Sequence, residues 1–267
     1  MKKTIIMLCG VAFFYCNANA QVSATIAGKK LQVVISEKMT TTVTQMGTDI
    51  EIPASNDQYV TYEIKSVEGK NIQLSGTLDR SKGSATMMGQ ETTYDSDDST
   101  AIASATALNP QLAEQLKGLH KAQDFTVEAG KTPDMTDIET LNGLSVLTYA
   151  LFNPFDKSAT EGSKFSDSTK NDNGSKSVTD YVISKISGGE ITVTATSNST
   201  INTTSQAAGT EVKINMDVKT TSTRIYDAST GLLKTGTTDS NINGTTTIPT
   251  GQEIPMSIKG TTTVTVQ

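Results

Sequence analysis

The amino-acid sequence predicts a mainly β protein with a small helical insert. The expected architecture is a strongly curved antiparallel sheet, or open half-barrel, made of two duplicated meanders with two helices in the concave face. Three observations support this fold class. Two stretches far apart in the chain match each other without a gap, threonine supplies about one residue in six, and leucines recur at helical spacing between the matching stretches.

The two matching stretches are residues 62–77 and 181–196. Tyr62 aligns with Tyr181 and Gly69 aligns with Gly188, and the apolar residues between them also coincide. Each stretch alternates apolar and polar residues, passes a glycine-containing turn, and then alternates again, which is the pattern of a β-hairpin with one buried face. A hairpin that occurs twice in one chain indicates an internal duplication.

The composition agrees with a sheet that has one solvated face. Threonine has a β-branched side chain that suits strands and a hydroxyl group that suits a surface in contact with water. Aromatic residues make up 5% of the chain and tryptophan is absent, so the core is expected to consist of Ile, Val, Leu and Met. Polar turns are predicted near residues 56–57 and 241–244.

The N-terminus has the pattern of a secretory signal peptide. Lys2 and Lys3 precede an apolar run over residues 5–15, and Ala18 and Ala20 form a small-x-small cleavage site. This run is shorter than the about 20 apolar residues of a membrane span, so the mature chain is not expected to be an integral membrane protein. The protein is therefore expected in the periplasm or at the cell surface, associated with the outer membrane.

The predicted division of the chain follows from the signal and the repeat. Residues 1–20 are the signal peptide, and residues 21–267 form a single β-rich domain. Within it, the first half covers about 21–107, the helical insert about 108–152 and the second half about 153–267. Both cysteines lie within residues 1–20, so the mature domain has no disulfide and depends on its core for stability.

The insert is expected to contain two helices, one beginning near Pro110 and one ending before Pro154. Their leucines are the candidate contacts for a hydrophobic ligand beneath the curved sheet. The alternative is that these leucines close the core and leave no cavity, because apolar helix stripes usually face a core. The candidate ligand-binding residues are Leu112, Leu116, Leu141, Leu144 and Leu147.

Charge and motif content exclude several classes of function. Without the signal peptide, 20 basic residues stand against 28 acidic ones, a net charge of −8, and this disfavours nucleic acid as a partner. The single histidine, His120, lacks a cysteine or second histidine with which to bind zinc. No phosphate-binding loop, dinucleotide fingerprint or nucleophile elbow occurs. We therefore expect no catalytic activity, no catalytic residue, no metal and no cofactor.

Several short motifs resemble an uncharacterised family of exported β-rich proteins of Bacteroidota, a domain of unknown function. They are residues 87–90 (Met-Met-Gly-Gln), 94–96 (Tyr-Asp-Ser), 162–165 (Gly-Ser-Lys-Phe) and 227–232 (Asp-Ala-Ser-Thr-Gly-Leu). Family members often have a tryptophan near position 162, where this chain has Phe165. The resemblance implies export and no assigned activity, and at fold level the expected curved sheet is similar to the lipoprotein-carrier half-barrels that shield acyl chains.

Two hypotheses of different classes follow. The first is an exported, non-enzymatic binding protein that holds a lipid or other hydrophobic ligand in its curved sheet. The second is a structural or adhesive module of the cell surface, without a ligand cavity, whose threonine-rich faces carry glycans or contact partners. Ser99 and Ser168 are candidate O-glycosylation sites for the second hypothesis, because each follows an aspartate and precedes a threonine.

Overall fold

The computed structural model describes residues 22–45, 47–87, 89–108, 116, 118–131, 144, 148, 150–171, 173–207 and 210–267. Eleven strands in these residues form one large antiparallel sheet. The strands are β1 (Lys30–Gln45), β2 (Thr48–Glu68), β3 (Asn71–Met87), β4 (Gln90–Asp95), β5 (Ala122–Glu128), β6 (Lys164–Lys170), β7 (Lys176–Ser187), β8 (Glu190–Ala207), β9 (Thr210–Asp227), β10 (Leu233–Thr247) and β11 (Glu253–Val266). A 3-10 turn at Ala24–Ile26 precedes β1, and helix α1 covers Ser99–Leu108.

The strand order is β4-β3-β2-β1-β11-β10-β9-β8-β7-β6, so the first and last strands of the chain pair in the middle of the sheet. β5 also pairs with β3, beside the half of β3 that β4 leaves unpaired. β6 forms one edge of the sheet, and β4 and β5 form the other. The strands are long, up to 21 residues in β2, and their far ends extend well beyond the buried core.

Two four-stranded parts of the sheet have equivalent pairing. The first unit comprises β1, β2, β3 and β5, and the second unit comprises β6, β7, β8 and β9. Tyr62 pairs with Gly76 in the first unit, and Tyr181 pairs with Ala195 in the second. These are the partners that the gapless alignment of residues 62–77 with 181–196 matches to each other. Each hairpin also has a register shift at the same place, three residues after its tyrosine.

The chain enters both units in the same way. Gly28 N–H donates to the carbonyl of Ile64 at 2.7 Å, and Gly162 N–H donates to the carbonyl of Ile183 at 2.8 Å. Both glycines have a positive φ, 79° and 82°, a backbone conformation that glycine adopts without strain. The same turn therefore precedes the first strand of each unit.

The two faces of the sheet differ in chemistry. Residues paired in register point to the same side, and successive residues of a strand point to opposite sides. One side, which we call the inner face, carries the core residues at the ends of the strands nearest the two hairpin turns. The other side, the outer face, is rich in threonine, asparagine and charged residues, as in Thr261, Lys259 and Asp239, three neighbours on β11 and β10.

A segment from the middle of the chain covers the core end of the inner face. Leu144 is buried, and the Tyr62 hydroxyl forms a 2.6 Å hydrogen bond with Thr148 Oγ1. The Tyr226 hydroxyl donates to the carbonyl of Ala150 at 3.0 Å. Phe152 then forms a bridge with Leu232, so this segment is held to the sheet by side-chain and backbone bonds.

Some local predictions from the sequence are wrong. β2 runs through residues 56–57 and β10 runs through 241–244, where turns were predicted. Both stretches lie between two neighbouring strands, and cross-strand pairing overrides the turn preference of Asn and Asp there. The Asn56 side chain accepts hydrogen bonds from Tyr94 and Ser81, which satisfies it within the sheet.

The helical part of the chain also begins earlier than the sequence predicts. Helix α1 occupies Ser99–Leu108, a stretch that the sequence assigned to the first β half. The Asp98 carboxylate accepts hydrogen bonds from the N–H groups of Thr100 and Ala101, which is the geometry of a helix N-cap. The two helices expected near residues 110–119 and 134–151 lie mainly outside the described residues.

Candidate functional site

The inner face continues past the core as a second apolar surface, which we call the distal inner surface. It lies on the halves of the long strands farthest from the hairpin turns. Its residues face the same side as the core because no register shift separates the two regions in the central strands. The distal inner surface comprises Met39, Val43, Ile50, Ile52, Ile214, Met216, Val218, Ile242, Met256 and Ile258.

Every residue of the distal inner surface is half-buried, whereas most of the alternate residues on the outer face are exposed. No helix or strand in the described residues packs on this surface. A contiguous apolar surface of this kind is a feature of binding sites, because monomeric proteins seldom leave one open to water.

Glycines mark the places where the strands approach each other most closely. A Cβ added at Gly244 would lie 2.1 Å from the carbonyl oxygen of Asn215, and one added at Gly83 would lie 2.3 Å from that of Ser55. Glycine within a strand is typical of a tight bend or a close backbone approach. A larger residue at either position would push the neighbouring strand away.

Between the core and the distal inner surface the inner face is polar. Glu37 lies on β1 in this zone, half-buried, and burial raises the pKa of its carboxyl although hydrogen bonds from Asn56 and Thr262 oppose that shift. On the neighbouring strands, the Tyr94 hydroxyl donates to Asn56 Oδ1 at 2.8 Å. Burial also raises the pKa of Tyr94. These groups form a connected polar cluster on the first-unit side of the sheet.

On the second-unit side, the polar zone contains a cation. Arg224 on β9 pairs in register with Val193 and Gly236, so its side chain points to the inner face. Its guanidinium lies 5.8 Å from the centre of the Tyr181 ring and interacts with the hydroxyls of Tyr181 and Tyr226. Among the described residues, no carboxylate forms an ion pair with Arg224.

The outer face has a separate groove of about 720 Å³ that crosses β3, β2, β1, β11 and β10. Its side chains carry both charges and several hydroxyl groups, and it includes Lys38, Lys259, Glu91 and Asp239. The groove is open, and Pro53 and Ala54 add apolar surface to its charged and hydroxyl groups. It differs from the distal inner surface in that it offers several hydrogen-bonding and charged side chains.

The structure places two of the five predicted ligand-contact leucines. Leu144 is 6% exposed and belongs to the core cluster, where it packs beside Gly76. Leu116 is half-buried. Leu112, Leu141 and Leu147 lie outside the described residues. For Leu144 the position is that of a core residue, which is the alternative that the sequence left open.

The two candidate glycosylation sites are both exposed, Ser99 at the start of α1 and Ser168 on the edge strand β6. The acidic residues before Ser99 have protein partners. Arg80 forms ion pairs with Asp95 and Asp97, and its guanidinium lowers the pKa of Asp95 to about 2. Within the part of the chain that the structure describes, no group of three His, Cys, Asp or Glu side chains could hold a metal ion.

Sequence reasoning missed the two features that define the inner face. Ile214, Met216 and Val218 alternate with polar residues along β9, but their neighbours on the inner face depend on pairing between distant strands, such as that of Val43 with Met256. Arg224 was not singled out, because a lone arginine in a strand gives no local signal. The match of residues 62–77 with 181–196 ends before β5 and β9, and the equivalence of those strands appears only in the sheet.

No family model matches the chain, and no curated protein matches it. Among solved structures, the chain is similar to lipovitellin, in a structure that describes lipid–protein interactions in that protein. The TM-score is 0.50 at 13% sequence identity, and the match covers 90% of this chain. It covers 25% of the lipovitellin chain, so this protein corresponds to a minor part of that molecule. The likeness shows a common fold, a large antiparallel sheet.

None of the helices within the described residues combines the length and the apolar character that a membrane span requires.

Proposed function

We propose that this protein is an exported, non-enzymatic binding protein that holds the acyl chain of a lipid on its distal inner surface. The observation that carries the proposal is the half-buried apolar surface formed by five neighbouring strands, over which no described element packs. Each buried methylene group of an acyl chain contributes about 0.8 kcal/mol when it leaves water. A sheet that curves around such a chain supplies this burial without closing a cavity.

The similarity to lipovitellin supports the choice of a lipid. That protein is described by its lipid–protein interactions, and the fold is common to both chains. A common fold does not fix function. The stronger support is therefore local, namely that the outer face of the same strands is polar while the distal inner surface is apolar. This contrast supports the proposal that an apolar ligand binds to one side of the sheet.

The proposal moves the ligand site away from the leucines that the sequence suggested. Leu144 fills the space beside Gly76 and Tyr62, so an acyl chain has no room at that point. The distal inner surface begins beyond the polar zone. Among the described residues, no side chain from another element fills the space over it as Leu144 does at the core. The core end of the sheet then provides stability, and the distal end provides binding.

The origin and location of the protein belong to the same proposal. The two units have equivalent pairing and the same entry turn, and a duplication of one ancestral meander accounts for both. The signal-peptide pattern of residues 1–20 supports export to the periplasm or the cell surface. Membership of the exported Bacteroidota family that the short motifs resemble is consistent with this assignment.

A pair of variants on one strand tests the binding site. Ile258 points to the inner face and Ser257, its neighbour on β11, points to the outer face. We expect Ile258→Lys to lose bound lipid while it keeps the fold, because the lysine places a charge where the acyl chain lies. Ser257→Lys adds the same charge to the opposite face and should retain the lipid.

The measurement is native mass spectrometry of protein purified from its own cell envelope, with circular dichroism to check the fold. The wild type should show an added mass that disappears on denaturation, as expected for a non-covalent lipid. Equal lipid retention by the two variants would contradict the assignment of the distal inner surface. A wild-type protein with no added mass after gentle purification, and no uptake of palmitate or hexadecanol, would contradict lipid binding itself.

The second candidate is a cell-surface structural or adhesive module. Two observations favour it: Ser99 and Ser168 are exposed, and the outer face carries an open polar groove of about 720 Å³. Under this hypothesis the same mass spectra show a hexose mass that survives denaturation. Replacement of Ser99 and Ser168 by alanine would remove that mass.

A further inference from the structure

The distal inner surface ends at hydroxyl groups on the second unit. One row of inner-face residues, paired in register, crosses five neighbouring strands from β2 to β9. Its members are Ile52, Thr41, Ile258, Ile242 and Val218. The same row continues onto β8 and β7 as Ser199 and Ser177. A ligand that lies along this row therefore meets hydroxyl groups at one end.

Four side chains on β7 and β8 form what we call the hydroxyl cluster: Ser177, Thr179, Ser197 and Ser199. Thr179 donates to Ser197 Oγ at 3.1 Å, and a 2.7 Å hydrogen bond joins Ser177 to Ser199. The contacts of Ser197 with Ser177 and with Ser199 are 3.5 Å long and therefore weak, because hydroxyl pairs normally bond at about 2.7–2.8 Å. The two shorter bonds use two of the four O–H donors, so the cluster keeps hydrogen-bonding capacity for a ligand.

The equivalent place in the first unit is apolar. Thr179 pairs with Ser197 as Val60 pairs with Leu78, and the two pairs match when the alignment of the hairpins is continued. Val60 and Leu78 are each 1% exposed, whereas the three serines of the hydroxyl cluster are half-buried. The strand pairing therefore does not require hydroxyl groups at this place, and the serines are within reach of a ligand on the inner face.

The charges around the hydroxyl cluster disfavour an anionic head group. Asp167 on β6 pairs with Thr179, so its side chain points to the inner face beside the cluster. Arg224 is about 14 Å away along β9, four residues beyond Thr220, which pairs with Ser197. A carboxylate or phosphate at the cluster would therefore be nearer to a like charge than to this cation. An uncharged group that donates and accepts hydrogen bonds avoids that repulsion.

The length of the apolar row fits one long acyl chain. Four strand spacings of about 4.8 Å separate β9 from β2, a distance of about 19 Å. An extended chain advances about 1.2 Å per bond, as the peptide backbone does, so about 16 carbons cover this distance. The next row of inner-face residues runs parallel to the first and consists of Met216, Gly244, Met256, Val43 and Ile50. A chain whose polar end lies at Ser199 stays beside these two rows as far as β2.

We propose that the hydroxyl cluster binds the ester and hydroxyl groups of an uncharged acylglycerol whose acyl chain crosses the strands of the distal inner surface. This inference rests on the proposed function and specifies the head group of the lipid. An ester carbonyl accepts a hydrogen bond from a serine hydroxyl, and glycerol hydroxyls both donate and accept. Such a head group bonds to the cluster and brings no charge near Asp167.

The head-group assignment is tested by isothermal titration calorimetry of the purified mature chain with monopalmitoylglycerol and with palmitate, each below its critical micelle concentration. The two ligands have the same acyl chain and differ in the charge of the head group. For the wild type we expect monopalmitoylglycerol to bind at least about tenfold more tightly than palmitate. Asp167→Asn removes the like charge, so it should tighten palmitate binding by about threefold or more and change monopalmitoylglycerol binding less than about twofold.

A double variant tests the position of the head group. Ser177→Ala combined with Ser199→Ala should weaken monopalmitoylglycerol binding by about tenfold, because two hydroxyl groups are lost at the end of the apolar row. The matched control is Thr194→Ala combined with Thr196→Ala, which removes two hydroxyls from the outer face of β8 and should leave the affinity unchanged. Circular dichroism checks the fold of both. Unchanged binding of monopalmitoylglycerol by the serine variant would contradict the inference.

The comparison of the two ligands on the wild type needs no variant, so the inference stays testable if the serine variant does not fold. Palmitate binding as tight as that of monopalmitoylglycerol, or tighter, would rule out the uncharged head group while lipid binding stood. If the wild type binds neither of these ligands nor hexadecanol, the proposed function itself fails.

Discussion

The two four-stranded units have the same strand pairing, but different side chains contact their equivalent tyrosines. In the first unit, Tyr62 packs edge-on against Phe125, with ring centres 6.3 Å apart, and its hydroxyl bonds to Thr148. In the second unit, Tyr181 faces Phe165 and the guanidinium of Arg224. The inserted segment contacts both units, through Thr148 in the first and through Ala150, which accepts a hydrogen bond from Tyr226, in the second. The difference lies in the residue beside the tyrosine, an aromatic ring in the first unit and a cation in the second.

This difference shows that one backbone pattern can hold unlike side chains at equivalent positions. In the first unit Leu144 fills the space above Gly76, which gives the close packing of a core. In the second unit the equivalent position has Ala195, and Arg224 interacts with the hydroxyls of Tyr181 and Tyr226.

The largest predicted effect comes from a charge placed in the core of the first unit. Leu144→Glu should destabilise the protein by about 3–5 kcal/mol, because the carboxylate would be buried beside Gly76 and Tyr62 without a partner. Urea unfolding followed by circular dichroism measures the change. Leu116→Glu is the control, since Leu116 is half-buried and its glutamate can reach water.

If Leu144→Glu keeps the wild-type stability and loses only bound lipid, Leu144 lines a pocket. That outcome would contradict the core position described here and would return the ligand site to the predicted leucines. A loss of stability with Leu144→Glu and none with Leu116→Glu would sharpen the contrast between the sealed end of the sheet and the rest of the inner face.

An intermediate effect is expected from Gly76 and Ala195, which occupy equivalent positions in the two units. A Cβ at Gly76 would lie 2.7 Å from Leu144 Cδ1 and 3.0 Å from the Tyr62 ring. We expect Gly76→Ala to destabilise the protein by about 1–3 kcal/mol through overpacking, although alanine is better suited to a strand than glycine. Thermal unfolding at a series of denaturant concentrations gives the change in the free energy of unfolding.

The matched changes separate overpacking from backbone effects. A Leu144→Ala background removes the closest of these contacts, although the Tyr62 and Phe125 rings stay within 3.1 Å. Gly76→Ala should therefore cost less there than in the wild type, and the double-mutant cycle should show coupling. Ala195→Gly in the second unit should cost only about 1 kcal/mol, because a Cβ already fits at that position. Additive effects of Gly76→Ala and Leu144→Ala would argue against the contact.

The sequence predicted the parts of this architecture that are encoded locally. The hairpins at residues 62–77 and 181–196 are confirmed, because their alternation and turn glycines lie within one short stretch. The fold class, a large and mostly antiparallel sheet, follows from such local signals added together.

The remaining features depend on contacts between distant parts of the chain. Pairing of β1 with β11 joins residues such as Ile35 and Val264, which no local pattern connects. The distal inner surface exists only after that pairing. Arg224 lies beside Tyr181 only because β8 pairs with both β7 and β9. The candidate leucines were chosen by helical spacing, which cannot distinguish a core contact from a ligand contact.

The smallest predicted effect compares the turns that follow β5 and β9. Asp227 Oδ1 accepts hydrogen bonds from both the N–H and the hydroxyl groups of Ser229 and Thr230, and these bonds lower the pKa of Asp227 to about 2. Glu128, at the corresponding end of β5, shows no such set of bonds among the described contacts. We therefore expect Asp227→Ala to cost about 1 kcal/mol at pH 7 and Glu128→Ala almost nothing.

The lowered pKa of Asp227 determines how the stability loss in Asp227→Ala changes with pH. The pKa of Asp227 is lower in the folded protein than its ordinary value of 3.8, so its contribution to stability is complete above about pH 4 and is lost as the pH falls through about 2. The stability difference between the wild type and Asp227→Ala, measured by urea unfolding, should therefore shrink between pH 5 and pH 2. If the Asp227→Ala effect is constant across this range, the charge of the carboxylate does not stabilise the turn. The turns after β5 and β9 would then be similar in stability.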